Sequence, residues 1–324
     1  MLYAKITGTG SYLPKKILTN VELEKTIETN DAWIQERTGI KSRHIASDDE
    51  TTSTMGVAAA QNALAAAQLE PKDIEMIIVA TCTPAQFFPS CACTIQHALG
   101  ASAGIPAFDV QAACSGFVYA LSIADQYIKN GSVKRVLIIG SEIMSRVLDW
   151  QDRSTCILFG DGAGAVILEA SKNPGVLGTY IGADGSQKDL LYLNNIIAGQ
   201  KHGSENSKVP YLKMQGNPIF RLAVNILKKI ASEALLKHQP EITQLDWLVP
   251  HQANIRIIQA TAEKLNLPMD KVIVTLENQG NTSSASIPLA LDEGIRSKRI
   301  LPGHTLLLEA FGGGLTWGSA LVKY

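Results

Sequence analysis

Three residues of this sequence have side chains that could carry out acyl transfer together: Cys114, His251 and Asn281. A cysteine thiolate attacks acyl groups and holds them covalently. A neutral imidazole and a carboxamide can both donate hydrogen bonds to one oxygen, and each well-placed donor to a developing oxyanion contributes about 3–4 kcal/mol. The three residues therefore suit a reaction in which a thioester carbonyl becomes an enolate, and that reaction needs no metal or organic cofactor.

The segment around Cys114 predicts a nucleophile at the start of a helix. A strand is predicted over 107–112 and a helix over 117–129, whose apolar residues recur on one face. Unpaired N–H groups and the helix dipole favour an anion there by up to about 2 kcal/mol, which would bring the thiol pKa from about 8.5 towards 7. The alternative is an inert core thiol. That is our interpretation of the other cysteines: Cys82, Cys91, Cys93 and Cys156.

His251 and Asn281 each have a simpler explanation when taken alone. His251 lies between a predicted strand and a predicted helix, where it could cap the helix or pack in the core. Asn281 lies in a Gly/Asn/Ser cluster at 279–284, which is typical of a turn followed by a helix cap. The catalytic interpretation rests on finding both, with Cys114, at matching points of a repeated chain. The glycine triplet at 312–314 fits a hairpin turn, or a backbone N–H that approaches a second thioester carbonyl closely.

The order of predicted elements repeats once along the chain. The first half is predicted to contain helices at 52–69, 90–99 and 117–129 and strands at 75–81, 107–112, 135–142 and 162–169. The second is predicted to contain helices at 218–236, 255–265 and 284–296 and strands at 247–250, 271–276, 305–309 and 317–323. Comparable points differ by 169, 167 and 169 residues (82 and 251, 114 and 281, 136 and 305). We therefore expect an α/β fold of two homologous halves, 1–172 and 173–324, each a mixed sheet covered by helices.

Both halves place their candidate residues where strands end. In open α/β sheets, ligands bind beyond the carboxyl ends of strands. Cys114 and Asn281 are predicted to occupy equivalent positions, each after a strand and before a helix, and His251 ends the strand at 247–250. If a pseudo-two-fold axis relates the halves, the three side chains meet at one site.

Composition narrows the class of protein. The 324 residues carry a net charge of −1, so no global field favours nucleic acid or an anionic membrane. No apolar run approaches the length of a membrane span, and residues 1–14 do not resemble a signal peptide. Five cysteines without a framework spacing predict reduced thiols in a cytoplasmic enzyme, and none of their spacings predicts a metal site.

Seven short motifs are spread over nearly the whole chain: Asp31-Ala32-Trp33-Ile34, Arg37-Thr38-Gly39-Ile40, Ala112-Ala113-Cys114-Ser115-Gly116, Phe159-Gly160-Asp161-Gly162-Ala163-Gly164, His251-Gln252-Ala253-Asn254, Gly280-Asn281-Thr282 and Gly312-Gly313-Gly314. Together they resemble the β-ketoacyl-acyl carrier protein synthase III family of thiolase-fold condensing enzymes. The combination is specific, whereas the glycine-rich pieces alone would be weak signals. The resemblance implies a thiolase-like fold in which the duplicated halves, with their mixed sheets, stack in a five-layer αβαβα arrangement.

The resemblance also implies a two-step reaction of two thioester substrates. Cys114 takes an acyl group, usually acetyl, from acyl-CoA. Malonyl carried on acyl carrier protein then loses carbon dioxide at His251 and Asn281, and the carbanion attacks the acyl-enzyme to give the 3-oxoacyl thioester that starts fatty-acid elongation. Backbone N–H groups of Cys114 and Gly313 would form the first oxyanion hole, and Phe311 would shield the site. Elongating relatives generally use two histidines, so the pair found here favours the initiating type.

By the same resemblance, several residues would contact CoA. Trp33 and Arg153 resemble the family's adenine clamp, with Arg37 and Thr38 nearby on the CoA side. Contacts on the pantetheine side, direct or through water, are implied for two asparagines, Asn217 and Asn254. The simpler alternative is that Trp33 packs and that the arginines form surface ion pairs, which contribute little to stability.

Further residues are implied to meet macromolecular partners. The family presents basic residues to the acidic carrier protein, and the matching positions are Arg221, Arg256 and Lys264. A solvated helix face is the alternative interpretation of these three. Family members are typically homodimers, and Phe88 matches a residue that reaches towards the partner subunit's acyl pocket. The length of the starter acyl group is therefore expected to depend on this region.

Two other functions fit part of the pattern. Cysteine, then histidine, then asparagine is also the order in papain-like proteases, and the separation of 137 residues between 114 and 251 falls within their range of about 130–150. However, the sequence typical of the nucleophile in those proteases is not found around Cys114. The second alternative is a non-catalytic scaffold that binds a carrier protein or a ligand with its two halves.

Overall fold

The computed structural model describes residues 2–194, 210–238 and 244–324. Within these ranges the strands are, in chain order, β1 (Tyr3–Tyr12), β2 (Lys16–Thr19), β3 (Ser42–Ile45), β4 (Met76–Ala80), β5 (Ala107–Val110), β6 (Arg135–Ile143), β7 (Asp161–Ser171), β8 (Val176–Ala183), β9 (Leu191–Tyr192), β10 (Lys213–Met214), β11 (Trp247–Pro250), β12 (Thr305–Gly312) and β13 (Thr316–Lys323). The α-helices are α1 (Asn20–Leu23), α2 (Asp31–Thr38), α3 (Thr52–Ala67), α4 (Cys91–Leu99), α5 (Gly116–Lys129), α6 (Gly216–Lys237), α7 (Ile255–Lys264), α8 (Leu276–Gln279) and α9 (Ser286–Arg296).

Two mixed sheets lie at the centre of the molecule, and their strands follow the same order. The larger sheet runs β1-β7-β6-β4-β5, with β4 parallel to both β5 and β6. The smaller sheet runs β8-β13-β12-β11, with β11 parallel to β12. The other pairs in both sheets are antiparallel. The second sheet therefore repeats the first without its last strand.

Equivalent strands and helices of the two halves are 170 residues apart in the sequence. β4 and β11 end at 80 and 250, α5 and α9 begin at 116 and 286, and β6 and β12 begin at 135 and 305, so that each pair differs by 170. A 3-10 turn precedes both helices, at Ala113–Ser115 and at Ser283–Ala285. Its first residue has a positive φ in both turns, 45° and 50°. The two halves thus build the same strand–turn–helix unit.

Helices cover both sheets and fill the space between them. α5 and α9 lie between the sheets, where Phe117, Leu121 and Ile287 pack with residues of both. α3 and α4 cover the outer face of the larger sheet, and α6 and α7 cover the outer face of the smaller one. This is the five-layer αβαβα arrangement, so the expected fold class is confirmed. The proposed division of the chain at 172/173 falls between β7 and β8 and stays a prediction.

The strand predicted at 271–276 is wrong. In this segment Val272 pairs with Leu248 as an isolated parallel bridge, and α8 begins at 276. The physical reason is that the side chain of Gln252, and not a neighbouring strand, forms hydrogen bonds with the backbone of this segment. Its amide nitrogen donates to the carbonyl of Ile273 at 3.1 Å, and its amide oxygen accepts from the N–H groups of residues 275 and 276 at 2.9 and 3.1 Å.

Membrane-spanning and metal-binding features are both missing from the described part of the chain. There, no helix is long and apolar enough to cross a bilayer. Across 2–194, 210–238 and 244–324, no three His, Cys, Asp or Glu side chains are grouped so as to hold a metal ion. All five cysteines lie in these ranges, and each is a free thiol.

Candidate active site

A cavity of about 410 Å³ lies where the two halves meet, and Cys114, His251 and Asn281 all line it. Cys114 comes from the turn before α5, His251 follows β11, and Asn281 follows α8. Three parts of the chain that are far apart in sequence therefore converge on one place. Eight other residues that were expected to contact a substrate or partner or to shield the site line the same cavity: Trp33, Arg37, Thr38, Arg153, Asn217, Asn254, Arg256 and Phe311.

Cys114 is held by the strands of the other half. The carbonyl of Ala112 accepts a hydrogen bond from the hydroxyl of Thr316 at 2.8 Å, and the hydroxyl of Ser115 donates to the carbonyl of Thr316 at 3.1 Å. Gly312 packs directly on the nucleophile, since a Cβ at this position would lie 2.7 Å from the backbone nitrogen of Cys114. The close approach of the two backbones leaves no room for a side chain at 312.

The thiol pKa of Cys114 is raised, whereas a helix N-terminus was expected to lower it. The residue is only 7% exposed, and burial raises the pKa of its thiol to about 12. A hydrogen bond with the Ser283 hydroxyl lowers this pKa, and the nearby Glu142 carboxylate raises it. The expected pKa near 7 is therefore wrong, because desolvation of the thiolate outweighs the helix dipole. At neutral pH the nucleophile is a protonated thiol.

The backbone and the side chain of Asn281 are both fixed. Its N–H donates to the carbonyl of Leu158 at 2.8 Å, and its carbonyl accepts from the N–H of Gly160 at 3.0 Å. These bonds flank an isolated parallel bridge between Phe159 and Asn281. The side-chain oxygen accepts from the N–H of Ser283 at 2.9 Å. The amide nitrogen is therefore the end of the side chain that can donate into the cavity.

Asn281 is not the counterpart of Cys114, contrary to the expectation from the sequence. With the observed spacing of 170, Cys114 corresponds to Ser284 and Asn281 to Gln111. The expected register failed because Asn281 follows the short helix α8 rather than a strand. The residues nevertheless meet, since both turns lie at the junction of the two halves.

His251 is fixed by β12 and is uncharged. Its N–H donates to the carbonyl of Glu309 at 2.8 Å, which continues the parallel register of β11 and β12. The side chain is buried, and burial lowers the pKa of its imidazole to about 3. A neutral imidazole has one N–H donor and one acceptor nitrogen. At neutral pH His251 can therefore donate one hydrogen bond.

Part of the cavity wall is formed by Trp33 and two exposed arginines. The guanidinium carbons of Arg153 and Arg37 lie 5.3 and 5.6 Å from the centroid of the Trp33 ring. Arg153 also donates to the carbonyl of Glu28 at 2.9 Å. Cation–π contacts at exposed sites contribute about 0.5–1 kcal/mol. An aromatic face with two cations beside it suits a ligand that has both a flat ring and phosphate groups.

Two of the residues expected to contact CoA are engaged by the protein's own backbone. The hydroxyl of Thr38 donates to the carbonyl of Ile34 at 2.7 Å, and the side chain is buried. Asn254 caps the start of α7 with its side-chain oxygen, and its amide nitrogen donates to the carbonyl of Arg37 at 2.9 Å. The Thr38 bond lies within α2, whereas the Asn254 bond links the start of α7 to α2 at the cavity.

Four residues that the sequence singled out do not line this cavity. Gly313 lines a second cavity, of about 360 Å³, which also reaches Cys114. Phe88 is 86% exposed in the loop before α4. Arg221 on α6 and Lys264 on α7 are exposed and line neither of the two cavities.

Sequence reasoning missed the buried acid near the nucleophile. Glu142, at the end of β6, is fully buried and accepts hydrogen bonds from the hydroxyls of Thr81 and Ser284 and from the N–H groups of residues 82 and 83. Beside it, the hydroxyl of Ser283 lies 3.8 Å from Sγ of Cys82. The available signal was a charged residue at the end of an otherwise apolar strand.

The chain is similar over its whole length to proteins of one family. Residues 108–185 match the family model for 3-oxoacyl-[acyl-carrier-protein (ACP)] synthase III, and residues 235–324 match the model for its C-terminal part. A beta-ketoacyl-[acyl-carrier-protein] synthase III from Methylococcus capsulatus is 56% identical over 322 residues, which cover 99% of each chain. One from Escherichia coli is 54% identical over 323 residues and covers 100% of each chain.

Solved structures agree with these sequence matches. The crystal structure of 3-oxoacyl-[acyl-carrier-protein] synthase III from Aquifex aeolicus has a TM-score of 0.92 to this chain at 48% identity, and the match covers 99% of this chain and 100% of that one. An OleA structure from Xanthomonas, with a TM-score of 0.85 at 21% identity, shares the fold. The matches above 50% identity span both halves. The chain therefore belongs to the 3-oxoacyl-[acyl-carrier-protein] synthase III family of condensing acyltransferases.

Proposed function

We propose that this chain catalyses the decarboxylative condensation of an acyl-CoA starter with malonyl-acyl carrier protein, which gives 3-oxoacyl-acyl carrier protein and starts fatty-acid synthesis. Acetyl is the starter that the family resemblance implies. The observation that carries the proposal is the single cavity lined by Cys114, His251 and Asn281. The reaction requires a nucleophile that holds one acyl group and two donors that polarise a second thioester.

In the first half-reaction, the sulfur of Cys114 attacks the thioester carbonyl of acyl-CoA. The bond from the acyl carbon to the CoA sulfur breaks, and the thiol proton leaves with that sulfur as free CoA. Because burial keeps Cys114 protonated, proton loss accompanies the attack rather than preceding it. Backbone N–H groups of Cys114 and Gly313 are proposed to stabilise the oxyanion, and the second cavity, which Gly313 lines, is proposed to receive the acyl group.

In the second half-reaction, His251 and Asn281 donate to the carbonyl of the malonyl thioester. The bond to the carboxylate breaks, carbon dioxide leaves, and the electron pair moves into an enolate. The enolate carbon attacks the acyl carbonyl on Cys114, which forms the new carbon–carbon bond and releases the cysteine thiolate to take up a proton. A neutral imidazole suits this step, since it polarises the carbonyl without holding the carboxylate as a cation would. As proposed, these steps draw on no resident metal or organic cofactor.

CoA is proposed to bind along the arginine-bearing wall of the cavity. The ring of Trp33 and the planar guanidinium of Arg153 offer two surfaces for adenine, and Arg37 adds a charge for phosphate. Asn217 and Asn254 line the same cavity and are proposed to lie beside the pantetheine arm. Two residues are proposed to shape the cavity rather than to contact polar groups: Thr38 and Phe311.

The acyl carrier protein is proposed to dock on the surface of α6 and α7. These helices pack against each other and carry Arg221, Arg256 and Lys264. Arg256 is exposed and also lines the cavity, which supports a contact between its charge and an acidic carrier protein at the cavity.

A homodimer is proposed to form at the edge of the larger sheet. β5 is the last strand of that sheet, and α4, which packs on β5, follows a loop with two exposed rings, Phe87 and Phe88. Exposed strand edges and apolar rings are usually covered by a partner. The partner subunit's Phe88 is then proposed to limit the second cavity. A cytoplasmic location is proposed because all five cysteines are free thiols.

Mass spectrometry after incubation with acetyl-CoA tests the proposal. We expect one acetyl group, located by peptide mapping on Cys114, and its conversion into 3-oxoacyl-acyl carrier protein when malonyl-acyl carrier protein is added. The Cys114→Ala variant is the control and should remain unlabelled. An unmodified protein, or an acetyl group that is lost to water equally fast without malonyl-acyl carrier protein, would instead favour a scaffold or a cysteine hydrolase.

A further inference from the structure

The hydroxyl of Ser283 lies beside the nucleophile, and the proposed reaction does not yet use it. Ser283 is buried in the turn before α9, which corresponds to the turn of Cys114 before α5. Ser283, Cys82 and Cys114 all line the second cavity. The hydroxyl forms a hydrogen bond with the Cys114 sulfur, and it lies 3.8 Å from Sγ of Cys82. Two sulfurs therefore share one hydroxyl group.

Glu142 fixes the direction in which Cys82 donates. The Cys82 thiol donates to a Glu142 carboxylate oxygen at 3.3 Å. Burial, and then the Glu142 charge, raise the pKa of the Cys82 thiol well above its usual range, so this thiol keeps its proton at neutral pH. A carboxylate only accepts hydrogen bonds, whereas a thiol has one proton to donate. With that proton directed to Glu142, the Cys82 sulfur meets Ser283 as an acceptor.

The Ser283 hydroxyl has one hydrogen and two sulfurs that can accept it. A hydroxyl carries one donor and two acceptor lone pairs, and its hydrogen rotates to suit its partners. While Cys114 is a thiol, its S–H donates to the Ser283 oxygen, and the hydroxyl hydrogen is directed to Cys82. Once Cys114 carries negative charge, its sulfur becomes the stronger acceptor, because hydrogen bonds to ionised groups are stronger than neutral ones. The hydroxyl hydrogen then turns to Cys114.

Negative charge develops on the Cys114 sulfur twice in the proposed reaction. The sulfur loses its proton as it attacks acyl-CoA, and it departs as a thiolate when the enolate attacks the acyl group. Because Cys114 is buried, water does not solvate this charge well. The donors already assigned serve oxygens: two backbone N–H groups for the acyl carbonyl, and His251 and Asn281 for the malonyl carbonyl. A donor to the sulfur itself is therefore still needed, and the Ser283 hydroxyl touches that atom.

We propose that Ser283 is a further catalytic residue, whose hydroxyl accepts a hydrogen bond from the Cys114 thiol and donates one to the sulfur as negative charge develops on it. This rests on the proposed function and deepens it, since it names the side chain that assists the nucleophile. The backbone of Ser283 has a separate role, because its N–H orients Asn281 at 2.9 Å. Removal of the hydroxyl alone therefore affects the chemistry of Cys114 and spares malonyl decarboxylation.

The test is Ser283→Ala, which removes the hydroxyl and keeps the N–H. We expect acetyl transfer from acetyl-CoA to Cys114 to fall at least about tenfold, as does alkylation of Cys114 by iodoacetamide at pH 8, which needs no substrate. Malonyl decarboxylation, measured in the Cys114→Ala background, should stay within about threefold. The matched control is Ser286→Ala, since Ser286 is a buried serine whose hydroxyl lies 3.2 Å from that of Thr282. It should change none of the three rates by more than about threefold.

Unchanged acetyl transfer and alkylation in Ser283→Ala would overturn the inference. Equal losses of acetyl transfer and decarboxylation would also do so, because they would indicate that the turn, and Asn281 with it, has moved. If Ser283→Ala does not fold, Ser283→Gly decides, since it lacks the hydroxyl and suits the φ of 50°.

Cys82→Ala separates the two sulfurs. It removes the competing acceptor, so alkylation of Cys114 should not fall. A fall as large as in Ser283→Ala would assign the support of the sulfur to Cys82 and would overturn the inference. Failure of the proposed function looks different: iodoacetamide would still alkylate Cys114 in the unchanged chain, but acetyl-CoA would leave no acetyl group on it.

Discussion

The backbone N–H of Ser283 and the side-chain oxygen of Asn281 are 2.9 Å apart, and this hydrogen bond orients the Asn281 amide. With the oxygen occupied, the nitrogen is directed to the cavity that Cys114 and His251 also line. An aspartate at this position would keep the bond to Ser283 and would present a carboxylate oxygen in place of the donor.

We expect Asn281→Asp to lower malonyl decarboxylation by about 10²–10³-fold, which is the usual cost of losing one oxyanion donor. Acetyl transfer to Cys114 should change much less, because its oxyanion is proposed to lie against backbone N–H groups. The two half-reactions are measured separately, by release of carbon dioxide from malonyl-acyl carrier protein and by the mass of the acetyl-enzyme. Equal losses in both would contradict the assignment.

The protonated state of Cys114 predicts a steep pH dependence of alkylation. Below its thiol pKa of about 12, the thiolate fraction rises tenfold per pH unit, so the rate of reaction with iodoacetamide should rise about tenfold per unit from pH 7 to 10. Peptide mapping separates Cys114 from the exposed Cys93 in the same digest. A plateau that begins near pH 7 would show that the helix N-terminus outweighs burial.

The contact between Gly312 and Cys114 predicts a severe effect of a single methyl group. In Gly312→Ala the new Cβ would lie 2.7 Å from the Cys114 nitrogen and 3.1 Å from its Cβ, so the turn before α5 has to shift. We expect acetyl transfer to fall at least about 100-fold and the unfolding temperature to drop. Gly185→Ala, where a Cβ meets nothing within 4 Å, is the matched control. Normal acetylation of Gly312→Ala would show that the turn tolerates the shift.

The arginine contact with Trp33 predicts a selective loss of CoA affinity. We expect Arg153→Ala to raise KM for acetyl-CoA by roughly 3–30-fold, since a cation–π contact contributes about 0.5–2 kcal/mol, with kcat within about threefold. Arg299→Ala is the control, because Arg299 lies 4.8 Å from the Trp247 ring and lines neither cavity. A fall in kcat at unchanged KM would place Arg153 elsewhere in the reaction.

The layered fold was predictable because periodicity and repetition both act over long segments. α3, α5 and β11 lie within two residues of their predicted bounds. β1 was not predicted, and it contains two glycines, Gly8 and Gly10. In the structure these glycines admit α3, because a Cβ at Gly8 would lie 2.4 Å from the carbonyl oxygen of Ala63. The need for glycine at such a position is visible only when the helix that packs against the strand is known.

The site was predictable as a set of residues but not in its electrostatics. Residue type and predicted position in the repeated chain were enough to select Cys114, His251 and Asn281, and all three line one cavity, although Asn281 follows a short helix rather than a strand. The thiol pKa was not predictable, because it depends on the burial of Cys114 and on its proximity to Glu142. Both arise only when the chain folds. The offset between Cys114 and its counterpart was missed by three residues, because Asn281 follows the short helix α8 and not the strand that was expected at 271–276.

The duplication has a stoichiometric consequence. At a spacing of 170, Ser284 stands where Cys114 does, Thr81 where His251 does, and Glu142 where Gly312 does. At these related positions, the Glu142 carboxylate accepts from both hydroxyls, 2.7 Å from Ser284 and 3.1 Å from Thr81. The polar side chains at these positions therefore satisfy one another's hydrogen bonds. Of the two related positions only 114 carries a thiol, so isotope-labelled acetyl should saturate at one equivalent per polypeptide.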